Sequence, residues 1–403
     1  MEFTTNGTFK RSGVVTEPET GETFSLGGKR GSSAIFEATE DDRTLVGGDA
    51  AEAFVYDLTL NKLNALRFFG FERFELGQGD DVLDLTVRPG NEADAYERGV
   101  EAEAEGGDDV MLGTGQDDVL AGNLVYPRNY WEDDLPPDKP ITRDGSDTIY
   151  GGGGNDTLAG NSYDPGEYFG EGDAFIRPNA GDGDDWIYGG AGDDVISGAD
   201  TSVSEDGSDE VPDKDHLYGG DGNDTITGES ATSFVNNSDD FIYGGAGDDN
   251  LYGEASVYFG AIGEPSFYIP DPEAGDDHIY GGDGADRIFG DGGQQGDGDP
   301  ASDVIQGGKG DDILYGDGYR AQPKTADTFI FEPGDGVDRL RYFESGYDTI
   351  DLTAWGFESF RDLKFQGRGT PVVTLQLDED DAIVFDNQYS AHPRPAEGDF
   401  IFA

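Results

Sequence analysis

The residues best suited to chemistry in this chain are aspartates at the sixth position of glycine-rich nonapeptides. Six segments, beginning with GGGGNDTLA at Gly151 and ending with GGKGDDILY at Gly307, fit the pattern G-G-x-G-x-D-x-U-x, in which U is a large aliphatic residue. The glycines permit turns with positive φ and a close approach of carbonyl groups, while each aspartate supplies a hard carboxylate oxygen. Stacked turns could complete a shell of six to eight oxygens around Ca²⁺. The pattern therefore predicts a row of calcium sites.

A less perfect nonapeptide precedes each perfect copy in the same register, so two nonapeptides make one coil. The U positions of each pair are predicted to point inward, and they are Ile149/Leu158, Ile187/Ile196, Leu217/Ile226, Ile242/Leu251, Ile279/Ile288 and Ile305/Leu314. The sixth-position acids predicted to bind calcium are Asp81, Asp147, Asp156, Asp185, Asp194, Asp215, Asp224, Asp240, Asp249, Asp277, Asp286, Asp303, Asp312 and Asp327. The glycines predicted to shape the sites are Gly151, Gly152, Gly154, Gly189, Gly190, Gly192, Gly219, Gly220, Gly222, Gly244, Gly245, Gly247, Gly281, Gly282, Gly284, Gly307, Gly308 and Gly310.

The spacing of the copies predicts two different edges. Perfect copies begin 38, 30, 25, 37 and 26 residues apart, so 18 residues for each coil leave insertions of 20, 12, 7, 19 and 8 residues. All insertions fall in the same turn of the coil. We call the edge with uninterrupted glycine turns the intact edge, and the other the interrupted edge. We expect roughly five ions on the intact edge. Fewer are expected on the interrupted edge, where Asp213, Ser238 and Ala301 replace the fourth-position glycine.

These repeats resemble the RTX, or hemolysin-type, calcium-binding nonapeptide. The resemblance implies an all-β fold: a parallel β-roll, which is a right-handed calcium-binding β-solenoid, with irregular β caps and loop insertions along one edge. We divide the chain into an N-terminal β cap at 1–75, degenerate solenoid coils at 76–140, a calcium-binding roll at 141–331, and a C-terminal β cap with an export signal at 332–403. An independent binding domain at 1–75 is the alternative to a cap.

The C-terminal part carries two further expectations. Segments 372–377 and 382–385 are predicted to pair as a hairpin. The last five residues, Asp399-Phe400-Ile401-Phe402-Ala403, resemble the uncleaved signal that type I exporters read in serralysin-type proteins. Residues 1–11 lack the basic-then-apolar pattern of a signal peptide. The resemblance therefore implies an extracellular protein that is exported without an N-terminal signal peptide.

The amino-acid composition excludes several classes of binding partner and metal site. Asp and Glu number 87 against 25 Lys and Arg, which gives a formal net charge of -62. So many acids argue against nucleic acid and anionic membrane as partners, and they predict that order depends on a counter-ion. The sequence contains no cysteine, which excludes disulfides and thiolate metal sites. No apolar run approaches the roughly 20 residues that a membrane-spanning helix needs.

No catalytic motif is visible. The histidines are His216, His278 and His392, and they do not form HExxH; neither a G-x-S-x-G elbow nor a phosphate-binding P-loop is present. We therefore predict a non-catalytic protein acting in extracellular binding, adhesion or structural assembly. Two alternatives remain. One is a carbohydrate-active enzyme or accessory module, since Tyr163-Asp164-Pro165 faintly resembles a mannuronan epimerase motif without its histidine. The other is a surface-layer, filament or virion-surface component.

One predicted sheet has an aromatic outer face. Its outward positions seven and nine include Trp186/Tyr188, His216/Tyr218, Phe241/Tyr243 and His278/Tyr280. The opposite sheet is plainer, and its predicted outward positions include Thr225/Thr227, Asn250/Tyr252, Arg287/Phe289 and Ile313/Tyr315. Contiguous apolar surface of this kind usually marks an interaction site. Two possibilities stay open: the aromatic inserted loops cover this face, or it docks a glycan, another protein or a second copy of the chain.

Overall fold

A computed structural model describes the strands of the N-terminal third and most of the remaining coils. The described residues are 14–16, 23–25, 35–37, 44–48, 53–55, 67–69, 73–77, 81–86, 98–104, 107–122, 147–160, 184–198, 214–229, 239–254, 275–291, 301–317, 325–367, 370, 372–386 and 395–403. The chain divides into two compact units, Met1–Ser202 and Val203–Ala403. The inserted loops lie outside the described residues, so their predicted cover of the aromatic face remains a prediction.

The first unit consists of short strands joined by turns. They are β1 (Val14–Thr16), β2 (Thr23–Ser25), β3 (Ile35–Glu37), β4 (Thr44–Gly48), β5 (Ala53–Val55), β6 (Arg67–Phe69), β7 (Arg73–Gly77), β8 (Val82–Asp84), β9 (Glu101–Glu103), β10 (Val110–Leu112), β11 (Val119–Ala121), β12 (Thr148–Gly153), β13 (Thr157–Ala159), β14 (Trp186–Ala191) and β15 (Val195–Ser197). One parallel sheet has the order β14-β12-β10-β8-β5, and the other β15-β13-β11-β9-β7-β4. Strands β1 and β2 pair antiparallel, and β3 and β6 pair parallel.

The second unit continues the same plan. Its strands are β16 (His216–Asp221), β17 (Thr225–Glu229), β18 (Phe241–Ala246), β19 (Asn250–Glu254), β20 (His278–Asp283), β21 (Arg287–Phe289), β22 (Val304–Lys309), β23 (Ile313–Tyr315), β24 (Thr328–Ile330), β25 (Val337–Arg341), β26 (Thr349–Asp351), β27 (Lys364–Gln366), β28 (Val372–Gln376), β29 (Ala382–Asp386) and β30 (Phe400–Ile401). Their orders are β30-β26-β24-β22-β20-β18-β16 and β27-β28-β29-β25-β23-β21-β19-β17. Short 3₁₀ helices cover Thr353–Trp355, Phe360–Asp362 and Glu397–Asp399.

Each unit has a first sheet, which contains β12 or β18, and a second sheet, which contains β13 or β19. Equivalent repeat positions lie side by side in both sheets. Thr148 pairs with Trp186 and Ile149 with Ile187, for example, because each coil returns the chain to the same position one strand further along. All twelve predicted inward U residues are buried, with relative exposures of 0 or 1%. The core is therefore two facing rows of aliphatic side chains, which confirms the nine-residue register and the parallel β-roll.

The regular pairing crosses two of the predicted boundaries. Before residue 75, β4 pairs parallel with β7 and β5 with β8. After residue 331, β25 pairs parallel with β23 and β26 with β24. The predicted hairpin is confirmed, because β28 and β29 pair antiparallel. No helix among the described residues has the length and apolarity needed to cross a membrane.

Candidate calcium site in the stacked turns

A buried ladder of sixth-position aspartates follows the intact edge. The N–H of Asp156 donates to Oδ1 of Asp194 at 2.7 Å in the first unit. In the second unit, the N–H of Asp249 donates to Oδ1 of Asp286 at 2.9 Å, and the N–H of Asp286 to Oδ1 of Asp312 at 2.8 Å. One carboxylate oxygen of each aspartate thus holds the preceding coil in register. The sequence pattern fixes this arrangement, because the aspartate follows the glycine turn and precedes the strand.

The second carboxylate oxygen faces into the turn. Oδ2 of Asp156, Asp249, Asp286 and Asp312 is buried and accepts no hydrogen bond from the described residues. Buried polar atoms of this kind are costly unless a partner satisfies them. A cation in the turn would be such a partner. The unsatisfied carboxylate oxygens therefore fit a calcium site in the turn.

The glycines leave room for carbonyl oxygens beside that carboxylate. A methyl group on Gly281 would lie within 3.0 Å of both Asp286 Oδ2 and the carbonyl oxygen of Gly307. Gly282 has φ +121°, and a methyl group there would collide with the carbonyl oxygen of Gly245 in the preceding coil. The turn is therefore lined by main-chain and carboxylate oxygens of neighbouring coils, which suits Ca²⁺.

The interrupted edge carries the same carboxylate ladder. The N–H of Asp147 donates to Oδ1 of Asp185 at 2.7 Å. In the second unit, the N–H of Asp240 donates to Oδ1 of Asp277 at 2.8 Å, and that of Asp277 to Oδ1 of Asp303 at 3.0 Å. All the predicted sixth-position aspartates on both edges are at most 2% exposed. The structure thus aligns them in ladders within each unit; the lower ion number predicted for the interrupted edge remains a prediction.

The electrostatics of the turns also favour a cation. Burial first, and neighbouring aspartates second, raise the pKa of Asp249 and Asp286 from the usual 3.8 to about 7. Asp147 and Asp303 on the interrupted edge have pKa values well above the usual range for the same two reasons. Among the described residues, no three acidic or histidine side chains converge as a metal-binding group. An ion in a turn would therefore rely on carbonyl oxygens as well as carboxylates.

Several residues belong to these ladders although the ligand prediction left them out. Asp109 and Asp118 extend them upstream, accepting N–H groups from Asp81 and Val100 at 2.6 and 2.8 Å. Asp338 extends the intact edge downstream by accepting the N–H of Asp312 at 3.1 Å. The segment PGDGVDRLR at 333–341 keeps Gly, Gly, Asp and Leu at positions two, four, six and eight, so the nine-residue frame could have found it.

The interrupted edge also uses glycines that the prediction missed. Each of these glycines is the first residue after a strand of the second sheet, or lies at the equivalent position within a longer strand. A methyl group on any of them would lie within 3.0 Å of the Oδ2 of a sixth-position aspartate. These glycines are Gly122, Gly160, Gly228, Gly253, Gly290 and Gly316. The sequence contains a signal for these glycines, because each one stands nine residues after the first glycine of the preceding turn. The insertion that follows each glycine hides this repeat.

Comparison with known families bears on the same repeats. A model of the RTX calcium-binding nonapeptide repeat, built from four copies, matches residues 103–124, 141–162, 179–202, 212–235, 232–256, 273–294 and 297–318. Residues 103–318 of the chain therefore carry RTX calcium-binding repeats. Its repeats therefore bind Ca²⁺, and proteins with RTX repeats are typically secreted.

Other comparisons add little to this assignment. A search of curated proteins found no match. Among solved structures, the chain is similar to the extracellular lipase LipA from Serratia marcescens, with 17% identity and a TM-score of 0.26. That alignment covers 80% of this RTX chain but 45% of the lipase chain. The chain therefore spans less than half the length of that protein.

The outer face of the first sheet carries the predicted aromatic ladders. In the first unit, Tyr150 stacks on Tyr188 with ring centroids 4.6 Å apart. In the second unit, Tyr243 stacks between Tyr218 and Tyr280 at 4.9 and 5.0 Å. A parallel ladder there consists of His216, Phe241 and His278. These side chains are partly exposed, and Tyr150 reaches 39%.

The prediction that position nine of the second sheet also points into solvent is wrong for several of its residues. Phe289 and Tyr315 are 4 and 5% exposed, and Thr227 is 2% exposed. In this ladder, Phe289 stacks between Tyr252 and Tyr315 at 5.1 and 4.3 Å. Ser197 and Tyr252, at the same repeat position, are partly exposed. Most of the partly open aromatic surface therefore lies on the first sheet in the described coils.

Proposed function

We propose that the chain is a non-catalytic, calcium-stabilised extracellular protein that binds another protein surface, or a second copy of itself, through the first sheet. The observation that carries this proposal is the pair of partly exposed aromatic ladders on that sheet. Calcium then has a structural role, because it holds together the turns that align the rings. The ladders are the functional surface in this proposal.

The stacking geometry favours a protein partner over a sugar. The rings of Tyr218 and Tyr243 are 8° from parallel, and those of Tyr243 and Tyr280 are 6° from parallel. Each inner ring thus has both faces covered by its neighbours, and it presents its edge and hydroxyl group to solvent. A sugar that stacks needs a free ring face. Ring edges and phenol hydroxyls instead suit contact with another protein, because tyrosine is enriched at protein–protein interfaces.

Replacing Tyr188 and Tyr243 by alanine tests the proposed surface. We expect calcium-loaded wild-type protein to self-associate or to retain its protein partner, and the double variant to lose that association while keeping its β-spectrum. Sedimentation velocity at high concentration, with electron microscopy of the same samples, measures the self-association. Tyr347→Ala is the matched control, because Tyr347 is 53% exposed outside the ladders. Unchanged association in the ladder variant would refute the proposed surface.

The same preparations test the alternatives. Turnover of an anionic polysaccharide by the purified calcium-loaded chain would favour a carbohydrate-active enzyme and contradict the non-catalytic proposal. Ordered sheets or filaments would favour a surface-layer, filament or virion-surface component. Specific retention on an immobilised glycan that the ladder variant loses would replace the protein partner with a glycan.

We also propose that a type I exporter reads the C-terminal segment before the chain folds. In the folded state, Asp399 is 2% exposed and accepts the N–H groups of Gly346 and Ala396, while Phe400 is 8% exposed. A transporter would therefore reach these groups in the unfolded chain. Deleting residues 399–403 should abolish export by a type I system; normal export of the truncated chain would refute this role.

A further inference from the structure

The tyrosines at position nine of the first sheet stack phenol directly against phenol. In the strand register, Tyr150 lies opposite Tyr188 in the first unit, and Tyr243 lies between Tyr218 and Tyr280 in the second. Their ring centroids are 4.6, 4.9 and 5.0 Å apart, and the ring planes differ by 5°, 8° and 6°. Strand register and ring stacking together place equivalent ring carbons of neighbouring tyrosines next to one another.

The ladder on the second sheet lacks this parallel contact between phenols. There Phe289 stands between Tyr252 and Tyr315, with ring centroids 5.1 and 4.3 Å from theirs. On the other side of Tyr315, the ring of Tyr342 is tilted by 52° at 5.9 Å. A phenyl ring has no hydroxyl hydrogen to lose, so Phe289 separates its two neighbours chemically as well as in space. The two ladders therefore differ in the feature that oxidative coupling of tyrosines requires.

The surroundings of the first-sheet ladders favour oxidation of these phenols. All five tyrosines are partly exposed, and Tyr150 reaches 39%, so an oxidant can reach the stacks. Cysteine and methionine are the side chains that oxidants usually attack first. The sequence contains no cysteine, and Met111 is fully buried. The roll therefore offers few competing targets beside the ladders.

We propose that the tyrosine ladders of the first sheet are sites of oxidative cross-linking, where neighbouring tyrosines join as dityrosine and connect consecutive coils covalently. The co-reactant is hydrogen peroxide, used by a peroxidase. Each tyrosine gives up one electron and its phenolic proton, and the two phenoxyl radicals form a carbon–carbon bond between the ring positions beside the oxygens. The hydrogen on each of these carbons then moves to the oxygen as the ring regains its aromaticity. The two electrons and two protons removed reduce the peroxide to two molecules of water.

A cross-link in a ladder stabilises the roll independently of calcium. Tyr218 and Tyr243 are 25 residues apart, and Tyr243 and Tyr280 are 37 apart, by their residue numbers. A covalent bond across such a span removes conformational freedom from the unfolded chain. The cross-linked chain should therefore keep β-structure at chelator concentrations that unfold the untreated chain. This role does not depend on the partner proposed for the same surface.

Mild oxidation of the dilute, calcium-loaded full chain with a peroxidase and hydrogen peroxide tests these sites. Peptide mapping by mass spectrometry should find Tyr150 joined to Tyr188, and Tyr243 joined to Tyr218 or Tyr280. Each joined pair should be two hydrogen atoms lighter than its separate peptides, and the protein should remain monomeric and gain dityrosine fluorescence. The same treatment in chelator should lose these pairings, because the coils that align the rings are absent. Wild-type protein without these links, or with links only between copies, would overturn the proposal.

Two matched variants separate the effect of stacking from general tyrosine reactivity. Y243F keeps a ring in the stack but removes the phenol between Tyr218 and Tyr280, so it should lose every link in that ladder and retain the link between Tyr150 and Tyr188. Y252F removes a phenol of the second sheet and should retain all the links. After oxidation, the thermal midpoint in chelator should rise less in Y243F than in wild type or Y252F. Links from Tyr218 or Tyr280 that persist in Y243F at the wild-type yield would show that stacking does not direct the coupling, and would overturn the assignment.

Discussion

Two consecutive turns of the second unit, Gly307–Asp312 and Pro333–Asp338, share one register but are completed differently. In the repeat turn, the N–H of Gly310 donates to the carbonyl of Asp335 in the following coil at 2.6 Å. In the later turn, which we call the terminal turn, the N–H groups of Gly334 and Gly336 both donate to the Asp381 carboxylate, at 3.0 and 2.8 Å.

The difference shows what each kind of turn lacks. A repeat turn obtains its hydrogen-bond acceptors from the next coil and is left with a surplus of inward oxygens, which a cation can bind. The terminal turn has no further repeat coil in its sheet, because β29 of the hairpin pairs with β25. Asp381, at the start of that strand, supplies the acceptor as part of the chain itself. Calcium dependence should therefore be strongest in the repeat turns and weakest at the terminal turn.

Removing calcium should produce the largest difference in stability between the repeat turns and the terminal turn. With excess chelator, the region 141–331 should lose most of its β-structure, because its buried aspartates then have no cation to balance them. Between Asp144 and Tyr315 the bases are Arg177, Lys214, Arg287 and Lys309, too few to replace the ions. Far-UV circular dichroism measures the loss. A chelated protein with an unchanged spectrum and thermal midpoint would contradict it.

Hydrogen exchange measured peptide by peptide locates the loss. At intermediate free calcium, peptides from β20–β23 should exchange faster than those from β28 and β29, since Asp381 holds the terminal turn without a metal. Equal exchange in both regions would show that the two kinds of turn unfold as one unit. Excess Mg²⁺ is a suitable control, because its rigid octahedral coordination suits these turns poorly.

Acid should partly replace calcium in the repeat turns. The folded-state pKa of Asp249, Asp286 and Asp312 is about 7 against the usual 3.8. The calcium-free folded state thus binds more protons than the unfolded chain between these values, so its stability is present at low pH and is lost as pH rises towards 7. Circular dichroism in chelator should show structure returning between pH 7 and 5, above the sequence pI of about 4.1. A loss of β-structure on acidification would contradict the predicted direction of this pH dependence.

A matched pair of glycine substitutions separates backbone strain from coil packing. Gly282 and Gly334 both have positive φ, +121° and +98°, so alanine should cost about 1–2 kcal/mol at either position. A methyl group on Gly282 would also collide with the carbonyl oxygen of Gly245, whereas Gly334 has nothing within 4 Å. G282A should therefore lower both the thermal midpoint and calcium affinity, and G334A the midpoint alone. Equal calcium affinities in the two variants would show that carbonyl spacing does not shape the site.

The sequence predicted the repeat region well because its signal is local and periodic. The U positions alternate with polar neighbours, and each sixth-position aspartate has a fixed place after its glycines, so Ile279, Ile288 and Asp286 could be placed from the pattern alone. The structure buries all three. The extension to Asp338 was missed because Pro333 replaces the first glycine, although the later positions of that nonapeptide keep the frame.

The contacts that close the site were less predictable because they join residues far apart in sequence. Asp381 meets Gly334 and Gly336 across separations of 47 and 45 residues, and no repeat relates them. Asp291 and Asp317 lie in Gly-Asp-Gly segments outside the predicted calcium sites, yet they are only 6 and 8% exposed. The exposure of position nine likewise depends on three-dimensional neighbours, which is why the prediction for Phe289 and Tyr315 was wrong.

The smallest expected effect concerns the terminal turn itself. In D381N, one carboxylate oxygen becomes an NH₂ group that cannot accept a hydrogen bond, so either Gly334 or Gly336 loses its acceptor. Losing one such bond at a buried group costs about 1–2 kcal/mol. The decrease in stability should be the same at saturating and limiting calcium, since Asp381 acts on N–H groups rather than on a metal. D312N, one turn earlier, should lower stability mainly when calcium is present, and D380N should change little because Asp380 is exposed.

Denaturant unfolding of the three variants at two calcium concentrations distinguishes these outcomes. If the D381N effect grew with calcium in parallel with D312N, Asp381 would belong to a metal site and the contrast between the two turns would fail.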